Sequence, residues 1–385
     1  MHPSEIEKGP GRVALFSTNF LEYSQTFVYD EVRAHDRWGV SVFAAQRLNR
    51  DRFPFEPVHL PPSGGRALYK AATVCPSFDA VFKREHFDVV HAHFGPGAVY
   101  ALPYAARYSL PLVVTFHGYD VPLLMGSDVY KPKNWRYGLA WRVLRRRVDR
   151  FLAASMDLRE LLLKLGAPPE RVFLYHLGVD VPSYARDPVE RAHVEMLMIG
   201  RFVEKKGHEY ALRAFASVVE RGRDVRLVLL GDGGQEPRIR ALAAELGVTD
   251  RVEFAGSVPH KEVARRLART DIVLAPSVTA ANGDRESGIL VLKEAGASSL
   301  PVVGTWHGGL PEIIDDGVTG FLVPERSVDR LAERLDQLAT DGDLRSRMGA
   351  AGRRKMEVEY DLHTQVRRDL AGHYDAVRGT RGRRT

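Results

Sequence analysis

Residues 196–230 read MLMIGRFVEKKGHEYALRAFASVVERGRDVRLVLL, and this stretch decides the fold. Met196–Ile199 and Arg226–Leu230 are short apolar runs of strand length, and the residues between them carry helical spacing over His208–Glu220. Strand, helix and strand in that order bring the two strands parallel, because the helix returns the chain across the sheet face. The unit repeats outward in both directions. Toward the C-terminus, strands are expected at Val252–Phe254, Ile272–Ala275, Pro301–Val303 and Gly320–Leu322. Helices are expected between them at Glu236–Leu246, Lys261–Arg269, Ile289–Ala297 and Val328–Leu338. Toward the N-terminus, strands are expected at Val13–Phe16, Val40–Ala44, Asp88–His91, Leu112–Thr115, Arg150–Ala153 and Val172–Tyr175, with helices such as Thr26–Trp38 and Ala98–Tyr108. The turn-rich stretch Gly178–Pro188 separates the two sets. The expected class is α/β: two Rossmann-like, doubly wound parallel-sheet domains facing each other across a deep cleft. The expected division is 1–185, then 186–360, with a helix at 361–377 returning to the first domain and a basic tail at 378–385. Ligands of such sheets bind beyond the carboxyl ends of the strands, so chemistry is sought there.

Composition narrows the function classes. The chain has 385 residues, 44% hydrophobic and 27% charged, which is ordinary globular usage and excludes collagen-like, disordered and disulfide-framework readings. A single cysteine, Cys75, forbids an internal disulfide and fits a reducing compartment. No run of about 18 apolar residues occurs, and the first residues lack the apolar region of a signal peptide, so the expected location is the cytoplasm. The formal charge is +6 and is concentrated in two places, the arginines of the tail (Arg378, Arg381, Arg383, Arg384) and the segment Arg142–Arg150. Two local patches on an otherwise slightly acidic chain argue against a nucleic-acid binder. In Trp135–Arg150, apolar residues interleave with arginines. That pattern fits peripheral contact with an anionic membrane surface, or a plain helix with Trp141, Leu144 and Val148 turned inward.

Two segments carry the chemistry. Ala275–Ala295 leaves a strand, crosses a polar loop and enters a helix, with Glu286 in the loop and Glu294 on the helix. The amides of Gly288, Ile289 and Leu290 open that helix, and unpaired N–H groups at a helix start form a seat for phosphate. Gly200–Gly207 follows the first strand of the second domain and brings Arg201 and Lys206 to the same sheet edge. Arginine holds phosphate in a planar fork and lysine acts as a point charge, so the pair reads as a diphosphate clamp. No Walker loop and no complete G-x-G-x-x-G occurs. His91 and His93 stand at a strand end with no carboxylate or thiol set evident to complete a zinc site. Asp343, in Asp341-Gly-Asp343, reads as a helix N-cap.

Gly200–Gly207, the Glu286/Glu294 pair and the segment Pro301–Glu312, with its Gly308-Gly309, together resemble the retaining GT-B glycosyltransferases of family GT4. Pro276–Asp284 and Gln25-Thr-Phe27 resemble that family's colanic-acid and exopolysaccharide subgroup. The resemblance implies a nucleotide-diphosphate sugar donor, retention of configuration, and no cofactor or metal. It implies that Arg201 and Lys206 neutralise the leaving diphosphate. Glu286 would face the donor sugar, Glu294 would bind the ribose, and the Gly288–Leu290 amides would meet the β-phosphate. His117, in Thr115-Phe-His-Gly-Tyr-Asp120, matches a histidine beside the donor sugar. Ser24, Gln25, Thr26 and Asp120 fall on the substrate side of the first domain. The implied acceptor is a saccharide, lipid-linked at the inner membrane face. A soluble acceptor and a two-domain nucleotide-sugar epimerase are the alternatives. The chain departs from the pattern at Gln25, where the subgroup usually has Glu, and at Ser299, where the family commonly has glycine. It departs again at Asn19–Ser24, where many relatives carry a Gly-Gly loop.

Overall fold

The computed structural model describes residues 11–22, 25–126, 129, 131, 134–188, 191–286 and 289–378. The chain forms two compact units, one running up to Gly178 and resuming at Leu362, the other Val179–Asp361. The division falls at 178/179 and 361/362, not at 185/186. Val179 already belongs to the second unit, where its N–H donates to the Tyr360 carbonyl at 2.8 Å.

Among the described residues the first unit holds seven strands: β1 Gly11–Phe20, β2 Trp38–Arg47, β3 Val58–His59, β4 Val89–His93, β5 Leu112–Phe116, β6 Arg150–Ala153 and β7 Val172–Leu174. They run parallel in the order β3-β2-β1-β4-β5-β6-β7. Val13, Leu15, Phe43, Val89, Val113 and Val114 are fully buried. A parallel sheet covered on both faces asks for such continuous apolar runs, and each large side chain so buried is worth about 1.5–3 kcal/mol. The helix from Thr26 ends at Ala34, short of Trp38, because His35 is already extended and Trp38 starts β2. The C-terminal segment packs here in three pieces, Leu362–Thr364, a wider π-helical turn at Gln365–Leu370, and Ala371–Val377. Of the tail, Arg378 pairs with Asp88 at 2.9 Å, and 379–385 lie outside the described residues.

The second unit holds β8 Val194–Ile199, β9 Val225–Leu230, β10 Val252–Gly256, β11 Ile272–Ala275, β12 Val302–Thr305 and β13 Gly320–Val323. All are parallel, in the order β10-β9-β8-β11-β12-β13. Alternate residues of a strand point to opposite faces, and the cores divide accordingly. Met196, Met198, Leu227 and Leu229 join one cluster, and Leu197, Val228 and Leu230 the other. Asp341, rather than Asp343, caps the helix Gly342–Glu359, its carboxylate accepting from the Leu344 N–H at 2.8 Å.

In each sheet the strand order reverses once, between β1 and β4 and between β8 and β11. A doubly wound sheet opens a crevice at that reversal, beyond the carboxyl ends of the strands.

Candidate active site

The loops at the β8/β11 reversal carry the charged groups. Gly207 turns the chain from the Glu204–Lys206 turn into the helix His208–Glu220, at φ +74. A Cβ on Gly207 would stand 1.9 Å from the Pro276 carbonyl oxygen, so glycine is what lets the lysine loop lie against the end of β11. From that loop, Lys206 Nζ reaches Glu286 Oε2 at 2.9 Å and Lys205 Nζ reaches Glu286 Oε1 at 3.4 Å. Lys205 also bonds Asp284 at 3.1 Å. Glu286 is buried. Burial alone would raise its pKa, but Lys206 and then Lys205, by charge and by hydrogen bonding, outweigh it and hold the carboxyl at about 2. Glu286 is therefore a fixed anion, not an acid poised to give up a proton. Arg201 is exposed, and its guanidinium has no ion pair among the described residues.

A second pair fixes the backbone of that carboxylate. The Glu286 N–H donates to His307 Nε2 at 3.0 Å, and His307 Nδ1 lies 2.7 Å from Glu325 Oε1. Glu325 also accepts from the Thr279 N–H at 2.9 Å. Gly308 sits at φ +50, where a Cβ would be 2.1 Å from the Glu286 carbonyl oxygen. Any side chain at Gly308 would push the loop away. Glu294 is buried on the helix Leu290–Ala297, and its Oε1 takes the Tyr184 hydroxyl at 2.9 Å and His260 Nε2 at 2.7 Å. Ile289 is the N-cap of that helix. Gly288 lies outside the described residues.

The β1/β4 reversal in the first unit is built differently. β4 and β5 end in His93 and Phe116, and His117 follows at once. His93 Nδ1 lies 2.9 Å from His117 Nε2, and Glu31 Oε1 lies 3.1 Å from His93 Nε2. Glu31 comes from the helix Thr26–Ala34, which also sets Phe27 against the His117 ring, 4.8 Å between centroids. Glu31 is thus a carboxylate beside His91 and His93, contrary to the sequence expectation. Glu31, His91 and His93 have atoms within 4.8 Å of one another, a grouping that could hold a cation. The imidazoles are instead engaged with neighbouring side chains. His91 uses both nitrogens, on Thr115 Oγ1 at 2.8 Å and on the Tyr374 hydroxyl at 2.7 Å. His93 lies between Glu31 and His117. Burial holds the His91 and His117 pKa well below the usual histidine range, with His93 adding to it.

Asp120 differs from its expected substrate role. It is fully buried, and its carboxylate accepts from the Gly95 N–H at 2.9 Å, the Gly118 N–H at 3.0 Å and the His117 N–H at 3.3 Å. It ties the start of the helix Gly95–Arg107 to the turn bearing His117. Burial raises its pKa to about 6 even against those amides. Gln25 is the N-cap residue before Thr26, and its Oε1 accepts from the Glu22 N–H at 3.2 Å. Thr26 is half-buried. Ser24 lies outside the described residues. The structure thus joins Lys206 and Glu286 within the second unit, keeps Glu294 there on its own partners, and sets His117, Asp120, Gln25 and Thr26 in the first. Sequence reasoning missed Lys205, His307 and Glu325 in the second unit and Glu31 and His93 as partners in the first.

The fold and these two carboxyl-end constellations, one ionic and one imidazole, are those of a doubly wound α/β protein, and comparison with known proteins gives the family. The description "Glycosyl transferases group 1" matches residues 190–355, and "Glycosyltransferase Family 4" matches 24–182. Over 298 residues the chain is 34% identical to WcaL of Escherichia coli (strain K12), named as a colanic acid biosynthesis glycosyltransferase, covering 75% of this chain and 71% of that protein. It is 32% identical over 258 residues to the amylovoran biosynthesis glycosyltransferase AmsK of Erwinia amylovora, covering 66% of this chain and 61% of that one. The Anabaena protein HepE, solved in complex with UDP and glucose, superposes with a TM-score of 0.75 at 18% identity, covering 95% of this chain and all of that one. The chain belongs to the group 1 glycosyltransferases of family 4, and it is an enzyme of the GT-B fold. Among the described residues, no helix is long and apolar enough to cross a membrane.

Proposed function

We propose that the chain transfers a sugar from a nucleotide-diphosphate donor to a saccharide hydroxyl, with retained anomeric configuration and without a metal ion, in building an exopolysaccharide on a lipid-linked acceptor. The observation that carries this reading is Glu286 held between Lys205 and Lys206 at the β8/β11 reversal, in the same unit as Arg201. A diphosphate leaves well once its charge is met, and preorganised cations supply that without proton transfer from the enzyme. Arg201, Lys206 and the amides of Ile289 and Leu290 take this role. When Lys206 turns to the phosphates, Lys205 remains on Glu286, so the buried carboxylate keeps a counter-ion. Glu286, ionised, holds donor hydroxyls and supports positive charge at the anomeric carbon. The acceptor attacks on the face the diphosphate leaves, and a leaving phosphate oxygen takes its proton. Glu294 binds the ribose, with Tyr184 and His260 fixing one of its oxygens. The UDP carried by HepE supports a nucleotide donor, and the names of WcaL and AmsK support a polysaccharide acceptor. Proton NMR of the first-formed product tests retention. The donor's anomeric configuration is expected in the product, and the opposite anomer overturns it.

The membrane component of the reading rests on the helix Trp135–Arg147. It buries Tyr137, Trp141 and Leu144 but exposes Trp135, Leu139 and Val143, one ridge at i, i+4 and i+8, with Arg142, Arg145, Arg146 and Arg147 on the same helix. Apolar ridges with adjoining arginines suit the interface of an anionic bilayer. Binding to anionic vesicles at low salt, lost in Trp135→Ser/Leu139→Ser, is expected. No binding to such vesicles points to a soluble acceptor.

A further inference from the structure

Residues 276–284 carry the subgroup resemblance, yet they have no part in the transfer described above. The structure ties them to the two lysines that meet Glu286, and it ties the lysines unequally. Lys206 Nζ has Glu286 Oε2, at 2.9 Å, as its one hydrogen-bonding partner among the described residues. Its stem runs along the end of β8, where a Cβ on Gly200 would stand 3.0 Å from Lys206 Cε. Lys205 Nζ instead donates to Asp284 Oδ1 at 3.1 Å and to the Arg285 carbonyl at 3.3 Å, and stands 3.4 Å from Glu286 Oε1. The main chain of its turn is fastened to the same loop. The Val278 N–H donates to the Lys205 carbonyl at 2.9 Å, and the Ala281 N–H to Glu204 Oε2 at 3.1 Å. Asp284 is fixed in turn, its N–H on Asn282 Oδ1 and its carbonyl accepting from the Ala280 N–H, both at 3.0 Å. Charge-assisted hydrogen bonds are the strong ones, so Lys206, with one to give up, is the lysine that moves. Lys205, held among three oxygens, stays.

We propose that Asp284 and Lys205 are positioning residues: Asp284 pins Lys205, and the pinned ammonium keeps Glu286 in place as an anion while Lys206 passes to the donor's diphosphate. This deepens the reading of the chain as a sugar-nucleotide transferase and rests on it. Glu286 and a diphosphate compete for Lys206. A buried carboxylate that loses every counter-ion takes up a proton, because desolvation disfavours its charged form, and a protonated Glu286 no longer supports positive charge at the anomeric carbon. Burial pushes this carboxyl up, and Lys206 and then Lys205 hold it at about 2 against that. The other charged groups of the surrounding loops are placed differently. His307 takes the Glu286 N–H, Glu325 lies behind His307 at 2.7 Å from Nδ1, Arg285 precedes Glu286 in the chain, and Arg201 is exposed on the loop after β8. Once Lys206 has moved, the cation left on the Glu286 carboxylate is Lys205, and the loop bearing Asp284 decides whether it stays.

The test counts that proton. Inorganic pyrophosphate is titrated calorimetrically into the full-length protein in buffers of different ionisation enthalpy, which gives the protons taken up on binding. At about pH 6, Lys205→Ala is expected to take up about one proton more than wild type, on a Glu286 left without a counter-ion. Lys205→Ala/Glu286→Gln loses that excess, and Lys205→Arg, which restores a cation, returns to the wild-type count. Asp284→Ala, where Lys205 is no longer pinned, gives a fraction of the excess. Lys206→Ala binds pyrophosphate more weakly and shows none. In the transfer assay, Lys205→Ala turnover falls about tenfold from about pH 8 to about pH 6 relative to wild type, and Lys205→Arg recovers it. Equal proton counts in Lys205→Ala and wild type overturn the proposal, as does an excess that survives Glu286→Gln. Should Lys205→Ala fail to fold, Lys205→Met and Asp284→Ala are read in its place. Pyrophosphate that does not bind wild type removes the exchange of Lys206 and overturns the proposal with the clamp. If the proton counts are as stated and no nucleotide sugar is turned over, the transferase reading fails alone. If sugars are transferred and the counts are equal, this proposal fails alone.

Discussion

The two units prepare the same place in a doubly wound sheet by opposite means. At the β8/β11 reversal the buried group is an anion between two lysines, with Glu286 held at about 2. At the β1/β4 reversal the matching group is a neutral imidazole, His117, held well below the usual histidine range by burial. Each has a Glu–His pair behind it, Glu325–His307 and Glu31–His93. The pairs differ in what the histidine meets next. His307 meets the Glu286 backbone N–H, which can only donate, so its tautomer is settled by the main chain. His93 meets another imidazole, which can donate or accept. The ionic end should therefore be sensitive to loss of charge, and the imidazole end to loss of a hydrogen-bond direction.

The largest expected effect is at the ionic end. Glu286→Gln keeps the shape but removes the charge, and turnover should fall about 10²- to 10³-fold, the scale of losing one preorganised electrostatic group. Steady-state assay with saturating donor reads it, and full turnover in that variant would remove Glu286 from the mechanism. The same carboxylate gives the ionic end a pH signature. Its folded pKa is depressed, so its stabilisation is present above the ordinary glutamate value of 4.5 and is lost as pH falls toward about 2. Melting curves of wild type should drop between pH 5 and 3 more steeply than those of Glu286→Gln, and parallel curves would contradict the ion-pair description.

A smaller effect is expected at the imidazole end. Asp120→Asn has one acceptor oxygen for the Gly95, Gly118 and His117 amides, and an unpaired buried N–H costs about 1–3 kcal/mol. Urea titration should show that loss. Unchanged stability would mean that the turn bearing His117 does not depend on Asp120.

The smallest effect lies away from both ends. Ser299 follows the helix Leu290–Ala297 at φ +56, a left-handed conformation that favours glycine. Ser299→Gly relieves left-handed strain of about 1–2 kcal/mol and gives back about 0.5–1 kcal/mol in chain entropy, so a slight gain in melting temperature is expected with turnover unchanged. A drop in melting temperature would show that the serine side chain matters more than its backbone.

What the sequence made legible follows the same contrast. Buried parallel strands are continuous apolar runs, so twelve of the thirteen were found within a few residues of their ends. β3 was missed because Val58–His59 is two residues long and carries no period. Sequence order alone puts Arg201 and Lys206 between β8 and the helix His208–Glu220 and puts Glu286 in the loop after β11, whereas Glu294 lies within the helix Leu290–Ala297. Lys205 was passed over beside Lys206, although its contacts with Asp284 and Glu286 lie about 80 residues away and only folding brings them together. Glu31 was invisible for the same reason. Nothing within its helix marks it, and its neighbour His93 lies three strands further along the chain, at the end of β4. The boundary was misplaced because Val179–Ser183 looks like linker but packs as the first turn of the second unit, Val179 and Val181 joining its core.

The measurement that tests the central claim most directly is thermal stabilisation and slow donor hydrolysis across UDP-, GDP-, ADP- and dTDP-sugars, with EDTA present throughout. The account predicts that one nucleotide class stabilises the protein and is slowly hydrolysed, undisturbed by EDTA, and that the response is lost in Arg201→Ala/Lys206→Ala. A response that EDTA abolishes, or none from any donor with the protein folded, would contradict the cationic clamp at Arg201 and Lys206.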